Sequence, residues 1–286
     1  MHIEKTSLMN AHRFRITILV DNQAAPGLMS EHGLSLWIEA EDKSILFDTG
    51  QGSALAANAS VLGVDLSEID ILVLSHGHYD HTGGIPQVLK VNEKIEAYCH
   101  PGVVQPRYAI RDGTPKPIQM PRESIVAINK LPAQRLHWVS QPLLLSERIG
   151  ITGPIPRQTS YEDTGGPFFL DPEGRRVDPI DDDFALWIQT EDGLVICVGC
   201  CHAGLVNTLN HVRCLNKGSR VRAVIGGFHL LTASSQRIDQ TLAALRSLEP
   251  DMVISCHCTG EHAVAALRDA LRERVLPGAA GMTYRF

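Results

Sequence analysis

The sequence predicts an α/β fold on three observations. Strand-like and helix-like segments follow one another along the chain, an order that argues for layered sheet and helix. Some apolar runs, "IDILVLSHGH" above all, lack the alternation of a half-exposed strand and read as strands buried on both faces. Both ends of the chain also share one theme, an apolar strand followed by histidine and then glycine.

"FRITILVDN" (residues 14–22) is rich in apolar and β-branched residues and ends in a polar turn. "LSLWIEA" (34–40) and "SILFDTG" (44–50) flank "EDK" and are expected to form a hairpin. "GSALAANASVLG" has helical composition and a terminal glycine, and the strand at "IDILVLSHGH" follows it. From about Pro101 to Asp183 the chain is rich in proline and irregular, with short strands expected at "SIVAI" and "HWVSQPLLL". An excursion of that length is usually a lid or a binding loop. Order returns with "FALWIQTEDGLVICVGC", read as a hairpin turning at "EDG". A helix at "AGLVNTLNHVRCLN", a strand at "VRAVIGG", a helix at "SQRIDQTLAALRSL", a strand at "DMVISCHCTG" and a final helix at "EHAVAALRDALRERV" complete the series.

Composition narrows the function. The chain has 286 residues, enough for one large domain, and 44% of them are hydrophobic, as in an ordinary globular protein. Lys and Arg total 26 against 32 Asp and Glu, a net charge of -6 that disfavours non-specific nucleic-acid binding. No apolar run approaches the roughly 18 residues of a membrane span, and "MHIEKTSLMNAHRFRITILVDN" does not read as a secretory signal. The seven cysteines lack the spacing of a disulfide scaffold, so a reducing cytoplasm is the expected location.

"LVLSHGHYDHTGGIP" sets His76, His78, Asp80 and His81 at the end of a buried strand. Each is costly to bury without a partner, and crowded imidazoles without a cation leave lone pairs unsatisfied. Side chains two apart on an extended segment point the same way, so His76 and His78 can grip one ion. Asp80 and His81 follow a turn helped by Gly83 and Gly84 and can face a second position. His202, His229 and His257 also fall at or near apolar strand ends, where α/β folds collect their ligand sites. His2, His12, His100, His137, His211 and His262 read as ordinary core or surface residues. The helical two-histidine zincin pattern is absent.

"SHGHYDHTGG" resembles the His-x-His-x-Asp-His signature of the metallo-β-lactamase superfamily, and "ILFDTG" resembles the Asp-Thr-Gly strand end that precedes it there. "EHGLSLWIE", "IPRQTSYED", "GLVICVGCCHAGLVN", "VIGGFHL" and "CHCTG" extend the resemblance over most of the chain. They resemble a subgroup of stand-alone metal-dependent hydrolases that includes an archaeal pterin-joining enzyme of methanopterin synthesis. The resemblance implies one domain over residues 1–286 with the four-layer αβ/βα sandwich: two mixed sheets face to face, helices outside, metals at one edge. It implies His76 and His78 on a first metal, Asp80, His81 and His257 on a second, and Asp48 as the residue that fixes the turn behind them. The family's "GHTPGH" and "GD" steps are missing, and "VGCCHAG" stands in their place. His202 is therefore assigned to the first metal, Cys200 to the bridging position, and His229 to a place near the site.

Zinc is the expected cation, one or two ions per chain, with Mn and Fe as alternatives. The expected activity is hydrolysis of a small ester, lactone, thioester, amide or phosphoester by metal-activated water, with His76, His78 and Asp80 carrying the chemistry. Arg157 is expected to meet an anionic substrate group, and Glu31 and His32 to reach the mouth of the site. Two alternatives stand: a metal-assisted transferase or lyase joining a pterin to an aryl phosphate, and a non-catalytic regulatory protein that keeps the metal. Neither a nucleic acid nor a membrane is expected as partner, and the oligomeric state is left open.

Overall fold

In a computed structural model, residues 14–40 and 43–286 are described; His2, His12, Glu41 and Asp42 lie outside them. The chain opens with β1 (Phe14–Val20), β2 (Ser35–Ala40), β3 (Lys43–Phe47), α1 (Leu55–Val61), β4 (Ile71–Val73), α2 (Tyr79–Thr82), α3 (Ile85–Val91) and β5 (Glu96–Cys99). The excursion carries β6 (Tyr108–Arg111), β7 (Thr114–Pro117), α4 (Arg122–Ile128), β8 (Leu136–Trp138), β9 (Leu143–Leu144), β10 (Ile149–Ile151) and β11 (Phe168–Phe169). The last third holds β12 (Ala185–Thr190), β13 (Gly193–Val198), α5 (Leu205–Leu215), β14 (Val221–Gly227), α6 (Ser235–Leu248) and β15 (Met252–Cys256). It closes with α7 (Glu261–Leu271), β16 (Val275–Pro277) and β17 (Thr283–Arg285).

Two mixed sheets result, in the orders β17-β1-β2-β3-β4-β5-β8 and β16-β15-β14-β13-β12-β10-β9. Strand alternation decides what each face meets. Ile16, Ile18, Leu36 and Ile38 of the first sheet pack against Leu186, Ile188, Val195 and Cys197 of the second. The intervening residues turn outward. Leu46 and Leu72 lie under Leu55, Ile85 and Val88, while Trp187 and Ile196 lie under Leu205, Leu209 and Leu242. Helix, sheet, sheet, helix is the expected four-layer sandwich. Each fully buried Leu or Ile contributes about 1.5–3 kcal/mol.

Strand β4 pairs in parallel with β3, and β13, β14 and β15 are mutually parallel. The C-terminal ends of these strands meet at one edge of the sandwich, where loops converge above a rigid frame.

Three expectations are corrected. "SIVAI" lies in α4, not a strand, because Ser124 and Ile128, one helical turn apart, are both buried and packing overrides β-branched propensity. "HWVSQPLLL" is not one strand: β8 joins β5 in the first sheet and β9 joins β10 in the second, with Pro142 between them. The last helix stops at Leu271, where Arg272 adopts φ 58°, and Val275–Pro277 continues as β16.

Candidate metal centre

Asp48 follows β3 in a left-handed conformation (φ 61°) that turns its carboxylate toward β4. It accepts hydrogen bonds from Ser75 N and Ser75 Oγ, each 2.7 Å, and pairs with His81 Nδ1 at 2.7 Å. Ser75 Oγ also lies 2.9 Å from His76 Nδ1. The second sheet approaches closely here: a methyl at Gly199 would collide with the Ser75 side chain. On the other side, Gly77 N donates to Asp182 Oδ2 at 2.8 Å, and buried Arg107 pairs with Asp182 and Asp178. The proline-rich excursion thus clamps the His76–His78 segment. It also supplies a small sheet, β11-β6-β7, whose Phe168 ring lies 5.5 Å from both His78 and His202.

The turn into α2 brings Asp80 and His81 to a second face. His81 Nε2 lies 3.2 Å from Cys200 Sγ, and His257 Nε2 and His32 Nε2 lie 3.3 and 3.1 Å from Asp80 Oδ2. Asn22 Oδ1 accepts from His257 Nδ1 at 2.8 Å, and Asp21 accepts from the His257 backbone N–H at 2.7 Å. The Thr164 carbonyl accepts from His202 Nδ1 at 2.8 Å, so the lone pair of that imidazole is on Nε2.

Donor atoms in each of three sets, His76–Cys200–His202, His81–Cys200–His257 and His32–Asp80–His257, lie within 4.8 Å of one another. Cys200 is common to the first two. His78 stands beside the first set, its Nδ1 3.0 Å from His76 Nε2. Buried His78 Nε2 and His202 Nε2 have no hydrogen-bond partner. Such orphaned nitrogens are costly in a dry interior, and these residues fit a divalent cation as the missing partner.

Electrostatics agree for His76, His78 and His202. Burial holds His76, His78 and His202 well below the usual imidazole range; neighbouring histidines add to this for His76 and His202, and Arg107 for His78. They are neutral, as ligands must be. Burial pushes Asp80 up, but hydrogen bonds from His257 and His32 prevail and keep it well below the usual carboxylate range. Burial pulls His81 down, and the charge and hydrogen bond of Asp48 outweigh it, raising it to about 9.

The edge of the sandwich therefore gathers His76, His78, Asp80, His81, Cys200, His202, His229 and His257, with His32 beside Asp80 and Asp48 behind His81. Two expected residues do not join them. Glu31 accepts from the backbone N–H groups of Gln51, Gly52, Ser53 and Ala54 and fixes that turn instead of facing substrate. Arg157 donates to the carbonyls of His202 and Pro179, so it holds the His202 loop from behind. Among the described residues, the arginine that lines the site is Arg111 on β6, which no sequence signal marks. A cavity of about 190 Å³ is lined by Arg111, His32, Asp80, Phe168, His229 and His257, among others. Cys258 also lines it. The "CHC" spacing at a strand end could have pointed to that residue. A larger groove of about 750 Å³ between α3 and α4 contains none of these groups.

This fold, with this signature at this edge, belongs to the metallo-beta-lactamase superfamily, whose family model matches residues 31–257. The chain is 33% identical over 259 residues to the 7,8-dihydropterin-6-methyl-4-(beta-D-ribofuranosyl)-aminobenzene-5'-phosphate synthase of Methanocaldococcus jannaschii, covering 85% of this chain and 86% of the synthase. An uncharacterized protein of the same organism is 32% identical over 256 residues, 88% of this chain and 93% of its own length. A solved metal-dependent hydrolase of the beta-lactamase superfamily superposes with a TM-score of 0.80 at 27% identity, over 96% of this chain and 99% of that one.

Proposed function

We propose that the chain is a metal-dependent hydrolase of a small anionic ester, lactone, thioester or phosphoester. The observation that carries this reading is the pair of buried, unpartnered nitrogens, His78 Nε2 and His202 Nε2, beside His76 and Cys200. His76, His78 and His202 would hold a first cation, and Asp80, His81 and His257 a second, with Cys200 between them. A divalent cation bound there, zinc first and manganese or iron as alternatives, supplies Lewis acidity and lowers the pKa of water toward about 7.

The chain's own groups do the rest. Asp80, held anionic by His257 and His32, orients a water entering the cavity by accepting its hydrogen bond. His32, half exposed on the far side of that carboxylate, holds it in place at the mouth of the cavity. Arg111 meets the substrate's anionic group, and Phe168 excludes water from one wall.

A second reading is a transferase that joins two substrates without splitting water. The identity to the M. jannaschii synthase favours it. The same residues would then bind and orient two partners.

Metal-loaded protein assayed against esters, lactones, thioesters and phosphodiesters in ¹⁸O-labelled water separates the readings. Label in the product of one substrate supports hydrolysis. Product formed from a dihydropterin and an aryl phosphate partner, without label, overturns it in favour of transfer. His78→Ala retaining both metal and turnover overturns the metal-centred mechanism altogether.

A further inference from the structure

Two of the six buried cysteines behave unlike the other four. Cys99, Cys197, Cys201 and Cys256 pack inside apolar clusters, as small buried hydrophobes do. Cys200 and Cys258 belong to none of those clusters among the described residues. Their sulfurs lie 3.2 Å apart and face nitrogen donors instead. His81 Nε2 approaches Cys200, and the side chain of His229 is hydrogen-bonded to Cys258.

The ends of β13, β14 and β15 build this arrangement together. Gly227 leaves the space that the Cys258 sulfur fills, since a methyl there would stand 2.6 Å from Sγ. His229 and His257 both adopt left-handed conformations, φ 46° and 47°. Such backbone is strained and persists where the surroundings enforce it. The donor atoms of Cys200, His229 and Cys258 all lie within 4.8 Å of one another. His229 Nδ1 is buried without a partner, and all three residues line the 190 Å³ cavity.

We propose that Cys200, His229 and Cys258 form a sulfur-rich site for a thiophilic divalent cation, open to the cavity at its fourth position. The proposal rests on the metal-centre reading above and adds two ligands, Cys258 and His229, that the signature does not contain. Two thiolates, one imidazole and an open position form a donor set used for catalytic zinc. Soft sulfur ligands also favour zinc over manganese, which a histidine and carboxylate centre alone would not do so strongly.

Cobalt(II) and cadmium(II) are the probes, added singly to full-length protein kept reduced without thiol reagents. The proposal expects visible cobalt d–d bands together with a near-ultraviolet sulfur-to-cobalt charge-transfer band. Cys258→Ser should lose part of that charge-transfer intensity while the d–d bands remain, and His229→Ala should shift the d–d bands. The wild-type ¹¹³Cd resonance should lie at the downfield position of a two-sulfur site, which decides the matter should a variant fail to fold. Cobalt d–d bands without charge transfer overturn this site and leave the histidine centre standing. Charge transfer unchanged in Cys258→Ser, or a cadmium resonance typical of nitrogen and oxygen ligands alone, likewise overturns it. No cobalt binding of any kind overturns the metal-centre reading as well.

Discussion

Asp48 Oδ2 sits 2.7 Å from His81 Nδ1, and neither side chain reaches solvent. With Nδ1 so engaged, Nε2 is directed at Cys200 Sγ. Because Asp48 also takes two hydrogen bonds from Ser75, it sets the position of both histidine-bearing segments at once. Partners of this kind orient a ligand and raise its basicity. Asp48→Asn is expected to weaken metal affinity about 10–100-fold, measured by competition with a chromophoric chelator, with the fold retained by circular dichroism.

Arg157 and Arg111 should separate cleanly in kinetics. Arg157 holds the His202 carbonyl, so Arg157→Ala should lower metal retention and kcat alike for charged and neutral substrates. Arg111 lines the cavity, so Arg111→Ala should raise KM for anionic substrates only. The expected loss is about tenfold, equivalent to roughly 1.4 kcal/mol. Parallel KM measurements on an anionic substrate and its neutral analogue check both.

Asp182 accepts from the buried Arg107 guanidinium and from Gly77 N, between the two histidines. Asp182→Ala leaves Arg107 with an incompletely neutralised charge in the interior. Breaking a buried pair from one side costs about 3–5 kcal/mol. Urea denaturation should show a loss of that size. A double change, Arg107→Met with Asp182→Leu, should recover part of it.

Removing the cation should destabilise the folded chain, because the folded state alone presents the assembled ligands. At a ligand concentration of about 100 times Kd, binding contributes roughly 2.7 kcal/mol. Thermal melts with and without a strong chelator test this, with zinc added back to restore the original midpoint. Equal midpoints in all three samples would count against a bound metal.

Much of this site was legible because apolar runs end in histidines, and an α/β sheet gathers such ends at one edge. His76, His78, Asp80 and His81 were readable from spacing within one segment. His202 and His257 needed the sheet order and the resemblance together. Glu31 and Arg157 were misread for one reason: an exposed-looking charged residue near a motif gives no hint of which backbone groups it will serve. Four backbone N–H groups engage Glu31, and two carbonyls engage Arg157. Arg111 was invisible because its role depends on how the excursion folds back over the sandwich. "SIVAI" failed differently, as the burial spacing of Ser124 and Ile128 outweighed the preference of its branched residues for extended chain.

Cys200 touches ligands drawn from both halves of the polypeptide, with His81 far upstream and Cys258 near the other end. During synthesis the upstream histidines emerge first and wait, unable to complete a coordination sphere until residues 200–258 have been made. On the proposed reading, metallation would therefore be a late event on the ribosomal timetable. A cation acquired then would act as a rivet across the seam of the two sheets.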